Sequence, residues 1–127
     1  MKKSIPFELF GPNQYIMFDI LRLAELERAL GRDITDVIRR QDAGVGFCLT
    51  ALPIGMKQHF HKATPQDFAE KIEAYLENGG TLDDIAVPIV KSIMASGIFG
   101  KEVSEKASKL EDPNQDTEGK NVNEETK

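Results

Sequence analysis

Apolar residues recur along this chain with two periods, and the point where one gives way to the other outlines the fold. Ile5 to Phe10 and Tyr15 to Phe18 are short aromatic and branched runs, separated by the turn-forming cluster Gly11-Pro12-Asn13-Gln14. Such runs predict a small β-hairpin or a pair of extended segments. A two-stranded hairpin is not stable alone in water, so this one is expected to lie on the rest of the protein. From Ile20 onward the spacing is helical. Ile20, Leu23, Leu26 and Leu30 form one stripe, Arg22, Glu25 and Arg28 occupy the opposite side, Asp19 is placed to cap the helix and Gly31 to end it. Glu27 falls at the edge of the stripe, so that margin is expected to be narrow or to face solvent. A second, short helix is predicted from about Ile34 to Arg40, started by Asp33 and ended before Gly44.

Phe47, Leu49, Leu52, Met56 and Phe60 continue a helical pattern from Gly46 to about His61, but Pro53 interrupts it. An interior proline removes one backbone hydrogen bond and collides with the preceding turn, at a cost of about 3 kcal/mol. With Gly55 loosening the same spot, a bend is expected at Leu52 to Gly55. Thr64-Pro65-Gln66-Asp67 then reads as a helix start: a capping threonine, proline at the first helical position and an acid where a capping box places one. Phe68, Ile72, Tyr75 and Leu76 form its apolar face, and Gly79-Gly80 stops it. Thr81 followed by Leu82-Asp83-Asp84 repeats the start signal. Ile85 to Phe99 is apolar nearly all round, the mark of a central buried helix or of one that covers a second face with a partner. Pro88 predicts a kink or a late start there.

Beyond Gly100 the pattern fades. Val103, Leu110 and Val122 are the only clearly apolar side chains larger than alanine. Burial of so few cannot repay about 1 to 2 kcal/mol of backbone entropy per residue, so 101–127 is expected to be a disordered charged tail. The fold class that follows is mainly α: a small domain over residues 1–100, of four to five helices with a short N-terminal β-hairpin, and a disordered C-terminal tail. A hydrophobic content of 40% over 127 residues is enough for one modest core if most of it precedes Gly100, which it does. No period of about 20 to 50 residues recurs, which excludes a repeat array.

Charge narrows the class of partner. The net charge is −5, of which the tail, with five lysines against eight carboxylates, carries −3. The densest basic spots of the whole chain are Lys2-Lys3 and Arg39-Arg40, a poor endowment for neutralising phosphates, so no nucleic acid is expected as a partner. Pro6 and Glu8 interrupt any signal-peptide core, and no run approaches the ~20 apolar residues that span a bilayer. The expectation is a soluble, intracellular protein without a membrane partner. The single cysteine, Cys48, excludes an intrachain disulfide.

Candidate chemistry is sparse. His59 and His61 flank Phe60, but side chains two apart on a helix point about 200° from one another, so the imidazoles do not converge on a metal. Cys48 lies between Phe47 and Leu49 and reads as a small buried thiol rather than a nucleophile. Asp83-Asp84 stand in a first helical turn, where acids offset the helix dipole. Gly44-Val45-Gly46 lacks the Lys-Ser/Thr of a phosphate loop. No catalytic residue, cofactor or metal is expected, and the chain is read as a non-enzyme. Adaptable apolar residues, among them Met56, leave binding to another protein as the remaining role.

The order of these pieces is distinctive. A short β segment, then Ile20-Leu21-Arg22-Leu23-Ala24-Glu25-Leu26-Glu27-Arg28-Ala29-Leu30-Gly31, then Ala51-Leu52-Pro53-Ile54-Gly55-Met56-Lys57-Gln58-His59, then Thr64-Pro65-Gln66-Asp67 resembles the tail assembly chaperones of long-tailed bacteriophages and the related gene transfer agents. The resemblance covers roughly residues 7 to 99; Pro53 departs from the alanine or aromatic residue expected at that point. It implies a small helical protein of the host cytoplasm that binds the aggregation-prone tape measure protein, helps bring tail tube protein to it, and is absent from the mature virion. No catalytic residue carries over. The expected partner-binding residues are Tyr15, Met17, Phe18 and Leu21 near the hairpin and first helix, with Ile89, Ile93, Met94 and Phe99 on the last helix. That apolar helix also makes a homo-oligomer an expected arrangement. The alternative reading is a small helical DNA-binding or adaptor regulator acting through Arg28, Arg32, Arg39 and Arg40. A metal or small-molecule site at His59 and His61 is a third.

Overall fold

The computed structural model describes residues 4–109, with side chains placed through Ala107. Its elements run β1 (Ser4–Pro6), β2 (Tyr15–Met17), α1 (Ile20–Leu30), α2 (Ile34–Arg39), α3 (Val45–Gly55), α4 (Pro65–Glu77), α5 (Asp83–Ala95) and α6 (Lys101–Lys109). The fold is mainly α with a short N-terminal hairpin, and has six helices among the described residues where four to five were expected.

The two strands pair antiparallel, Ser4 opposite Met17, Ile5 opposite Ile16 and Pro6 opposite Tyr15. Pro6 stands opposite Tyr15, whose own N–H turns away from β1, so the missing proline N–H costs this ladder nothing. After one further bond, from the Phe7 N–H to the Gln14 carbonyl at 2.9 Å, the chain leaves the sheet. Phe7 and Phe10 then meet edge to face, and Phe10 reaches Phe68 of α4.

Helix α3 packs on α1, α4 and α5 and forms the middle of the bundle. Its sequence is apolar on nearly every side, and Phe47, Cys48, Ala51, Leu52 and Ile54 are all buried. Ile16 and Phe18 of the hairpin region, Leu26, Phe68, Ile85, Ile89 and Ile93 close around it with essentially no exposure. Burial of each such side chain is worth about 1.5 to 3 kcal/mol, and this is where the hairpin finds the support it lacks alone.

Local signals set most helix ends. The Arg22 N–H donates to Asp19 Oδ1 at 2.9 Å, and Gly31, at φ 72°, donates its N–H to the Glu27 carbonyl. Thr64 and Asp67 form the reciprocal capping box, with Pro65 at the first helical position. A second box opens α5: Thr81 N–H donates to Asp84 Oδ2 at 3.0 Å and Asp84 N–H to Thr81 Oγ1 at 3.4 Å. Helix α2 is the exception. Asp33 stands at its cap without a side-chain bond, and the Ile34 N–H donates instead to Glu27 Oε2 of α1 at 2.8 Å. Glu27 is therefore a cross-helix cap rather than a solvent-facing margin.

The two internal prolines behave differently. Pro53 lies in the last turn of α3, which ends at Gly55 and is followed by turns, so the expected bend is a termination. Pro88 is accommodated inside α5 without breaking it. Gly55 does more than loosen the chain. A Cβ there would lie 2.8 Å from Phe18 Cε2 and 2.9 Å from Ile16 Cγ2, so its missing side chain is what lets β2 and Phe18 close on α3.

The expected tail is corrected over 101–109, which form α6 against α5. Ala107 is buried with Ile5 and Ala95, Met94 packs on the three, and Ser104 Oγ donates to the Ala95 carbonyl at 2.7 Å. Counting large apolar side chains missed this because small residues suffice when a helix lies on an existing surface. Residues 110–127, the rest of the expected tail, lie outside the described residues.

Candidate partner-binding surface

A polar knot fixes the hairpin to the bundle. Arg22, on the face of α1 read as solvent-exposed, donates through Nη1 to the Met17 carbonyl at 3.1 Å and to Gln58 Oε1 at 2.6 Å, with a longer contact to the Gly55 carbonyl. Gln58 Nε2 donates to the Tyr15 carbonyl at 2.8 Å. The Tyr15 N–H donates to His59 Nε2 at 3.0 Å, and the two rings meet edge to face at 4.7 Å. His59 is thus a hydrogen-bond acceptor for β2, while His61 is exposed. Among the described residues no group of three or more His, Cys, Asp or Glu is gathered as metal ligands would be.

Cys48 is fully buried, and its thiol is pushed up to about 11, first by burial and then by the charge of Asp83. Asp84 also accepts from the Tyr75 hydroxyl at 2.7 Å. That bond, with the one from the Thr81 N–H, holds the Asp84 carboxyl below the usual range, and the same Tyr75–Asp84 bond, with burial, raises the phenol. Of the arginines invoked for nucleic acid, Arg32 pairs with Asp36 and Asp42 at 3.0 and 2.9 Å, and Arg40 pairs with Asp36 at 2.9 Å. Those bonds lower Asp36 and raise Arg32. Among the described residues no helix is long and apolar enough to cross a membrane.

The expected contact residues do not form one surface. Phe18, Ile89 and Ile93 are core side chains with no exposure, and a partner could reach them only by opening the fold. That part of the expectation is corrected: an apolar residue on an apolar helix carries no mark of which side faces in. Tyr15 and Met17 are half-buried in the knot, Met94 is half-buried beside α6, and Phe99 lies half-buried in the turn before it. Leu21 is the outlier at 81% exposed, with Ile20 beside it at 65%. Neither is needed by the core.

Apolar surface is gathered elsewhere. A cleft of about 400 Å³ runs between α2 and α5, walled by Val37, Ile38, Ala43, Ala86, Val87 and Val90 and edged by Gln41, Asp83 and Lys91. Val87 is 46% exposed at its mouth. A smaller cleft lies between Leu9 and Phe10 on one side and Lys71, Ala74, Tyr75 and Asn78 on the other. There the Lys71 ammonium sits 4.8 Å from the centre of the Phe60 ring. The sequence flagged the first cleft only indirectly, through the all-round apolarity of α5; its α2 wall gave no separate signal. No protein-family model, curated protein or solved structure matches the chain.

Proposed function

We propose that this protein is a phage tail assembly chaperone, which binds the tape measure protein, keeps it soluble and helps bring tail tube subunits to it. It works in the host cytoplasm and leaves before the virion is complete. The α2/α5 cleft is the observation that carries this reading, beside the order of elements described above. A helical client presents apolar residues at intervals of three and four, and Val87 and Val90 offer a matching pair along one wall. The apolar lining of the cleft is modest, so at about 25 cal/mol per Å² its burial is worth only a few kcal/mol. Association itself costs about 4 to 15 kcal/mol. Contact on this scale is reversible, as a chaperone requires, and the exposed pair Ile20 and Leu21 supplies a second point of attachment.

Co-expression with the tape measure protein of the same genome tests the proposal. The client should move to the soluble fraction and copurify with this chain. A tape measure protein that stays insoluble and forms no complex refutes it.

A further inference from the structure

One ridge of α5 is its own complement. Asp83, Val87 and Lys91 follow one another at four-residue steps along the helix, and all three line the α2/α5 cleft, so they share a face and form a single packing ridge. Ala86 and Val90, of the adjacent row, line the same cleft. Val87, in the middle of the ridge, is 46% exposed, and Asp83 is exposed as well. The two charges stand at equal distances on either side of Val87, about 6 Å along the helix axis. Lys91 is half-buried and already has a partner within the chain. An ammonium carries three donors, so a second carboxylate can join it.

We propose that this face binds a second copy of the chain, the two α5 helices lying antiparallel about a twofold axis at Val87. Charge carries the choice of occupant. A twofold contact pairs residue i with j and j with i, so Val87 meets its own copy while Asp83 of each chain meets Lys91 of the other. A parallel pairing would set like charges opposite one another. The molecule as a whole carries −5, which opposes self-association, whereas this strip is neutral and both of its charges find a mate. Each Val87 enters the other copy's cleft beside Ala86 and Val90 and is removed from water. A strip of about 12 Å is short, so the contact belongs to the small, exchanging class of interfaces. The dimer does not depend on the chaperone reading; competition between a tape measure helix and the second copy for the cleft does.

The test is sedimentation velocity of the full chain from ~10 μM to ~1 mM, the range in which weak contacts form. The apparent mass of the unaltered chain should climb from one chain toward two. Asp83→Lys and Lys91→Asp should each stay at one chain. An equimolar mixture of these two variants should associate at least about tenfold more tightly than either alone, because opposite charges again face each other at both ends of the strip. A constant single-chain mass for the unaltered protein, or a mixture no tighter than its components, overturns the proposal. Should either variant fail to fold by circular dichroism, cross-linking decides. Under mild oxidation Val87→Cys should form a disulfide-linked dimer at least about tenfold faster than Leu21→Cys, although Leu21 is the more exposed site, and equal rates overturn the proposal. If the dimer forms while neither it nor the single chain retains tape measure protein, self-association stands and the chaperone reading falls. A chain that stays single at every concentration yet retains that protein leaves the cleft to the client and overturns the dimer.

Discussion

Replacing Gly55 by alanine tests whether the closure of the hairpin on α3 is as tight as the distances imply. The added Cβ would stand 2.8 and 2.9 Å from two ring carbons of Phe18 and 2.9 Å from Ile16 Cγ2. Carbon pairs prefer about 3.5 to 4.0 Å, so the two side chains must withdraw by roughly 0.6 Å or more. Neither has room, since both are wholly buried. Shifting the Gly55 backbone instead would stretch the contacts its carbonyl accepts from Arg22 and Gln58. Overpacking of this kind costs about 1 to 3 kcal/mol. The gain in helix propensity, at most about 1 kcal/mol, is reduced at the last residue of a helix. A net loss of about 1 to 2 kcal/mol corresponds to a fall in Tm of about 5 to 15 °C in a domain of this size. Gly46→Ala is the matched control. Gly46 is helical and exposed with nothing near its absent side chain, so alanine should stabilise by about 0.4 to 1 kcal/mol. Thermal unfolding followed by far-UV circular dichroism reads both. Opposite signs are required, and a Gly55→Ala protein as stable as the unaltered one refutes the reasoning.

Three further outcomes are expected. Val87→Asp and Leu21→Glu should each change stability by no more than about 0.5 kcal/mol, and Val87→Asp should reduce retention of tape measure protein in a pull-down more than Leu21→Glu does. At pH 8 only about one in a thousand Cys48 groups is a thiolate, so Ellman's reagent should react with Cys48 only when the protein is unfolded. Because the folded thiol holds its proton up to about 11 and the unfolded one only to about 9, stability attributable to Cys48 is complete below pH ~9. It falls as pH rises toward 11, by at most ~1.4 kcal/mol per unit, and Cys48→Ala should lack this component of the alkaline loss in urea titrations. His59→Ala leaves the Tyr15 N–H without its acceptor, which should cost about 1 to 3 kcal/mol and speed hydrogen exchange at Tyr15.

What could be read from the sequence was local. Asp19, Gly31, Thr64 and Asp67 act on backbone groups within four residues, so their roles follow from spacing alone and mark both ends of α1 and the start of α4, while apolar runs and spacing placed the hairpin and most of the remaining expected helices. Glu27, Arg22, Gly55 and His59 act on partners up to 44 residues away, and nothing in their own neighbourhood marks them. Arg22 looked solvated because its position on the helix is polar, although its guanidinium turns back to the hairpin. Helix α6 escaped for a different reason: its seat combines Ile5, from the opposite end of the described chain, with the small side chain of Ala95, which an apolar pattern does not mark as a contact. The candidate surface was the least legible part. Phe18, Ile89 and Ile93 are as apolar as Val87 and Val90, and only the packing of α3 decides which are sealed.

The bond from Ile34 to Glu27 bears on the shape of the cleft. Helix α2 is six residues long, too few to hold itself helical, yet it forms one bank of the channel. A carboxylate rooted in α1 acts as the strut that keeps this bank upright. The wall that α2 lends to the opening is consequently held from a neighbouring rod that does not line it.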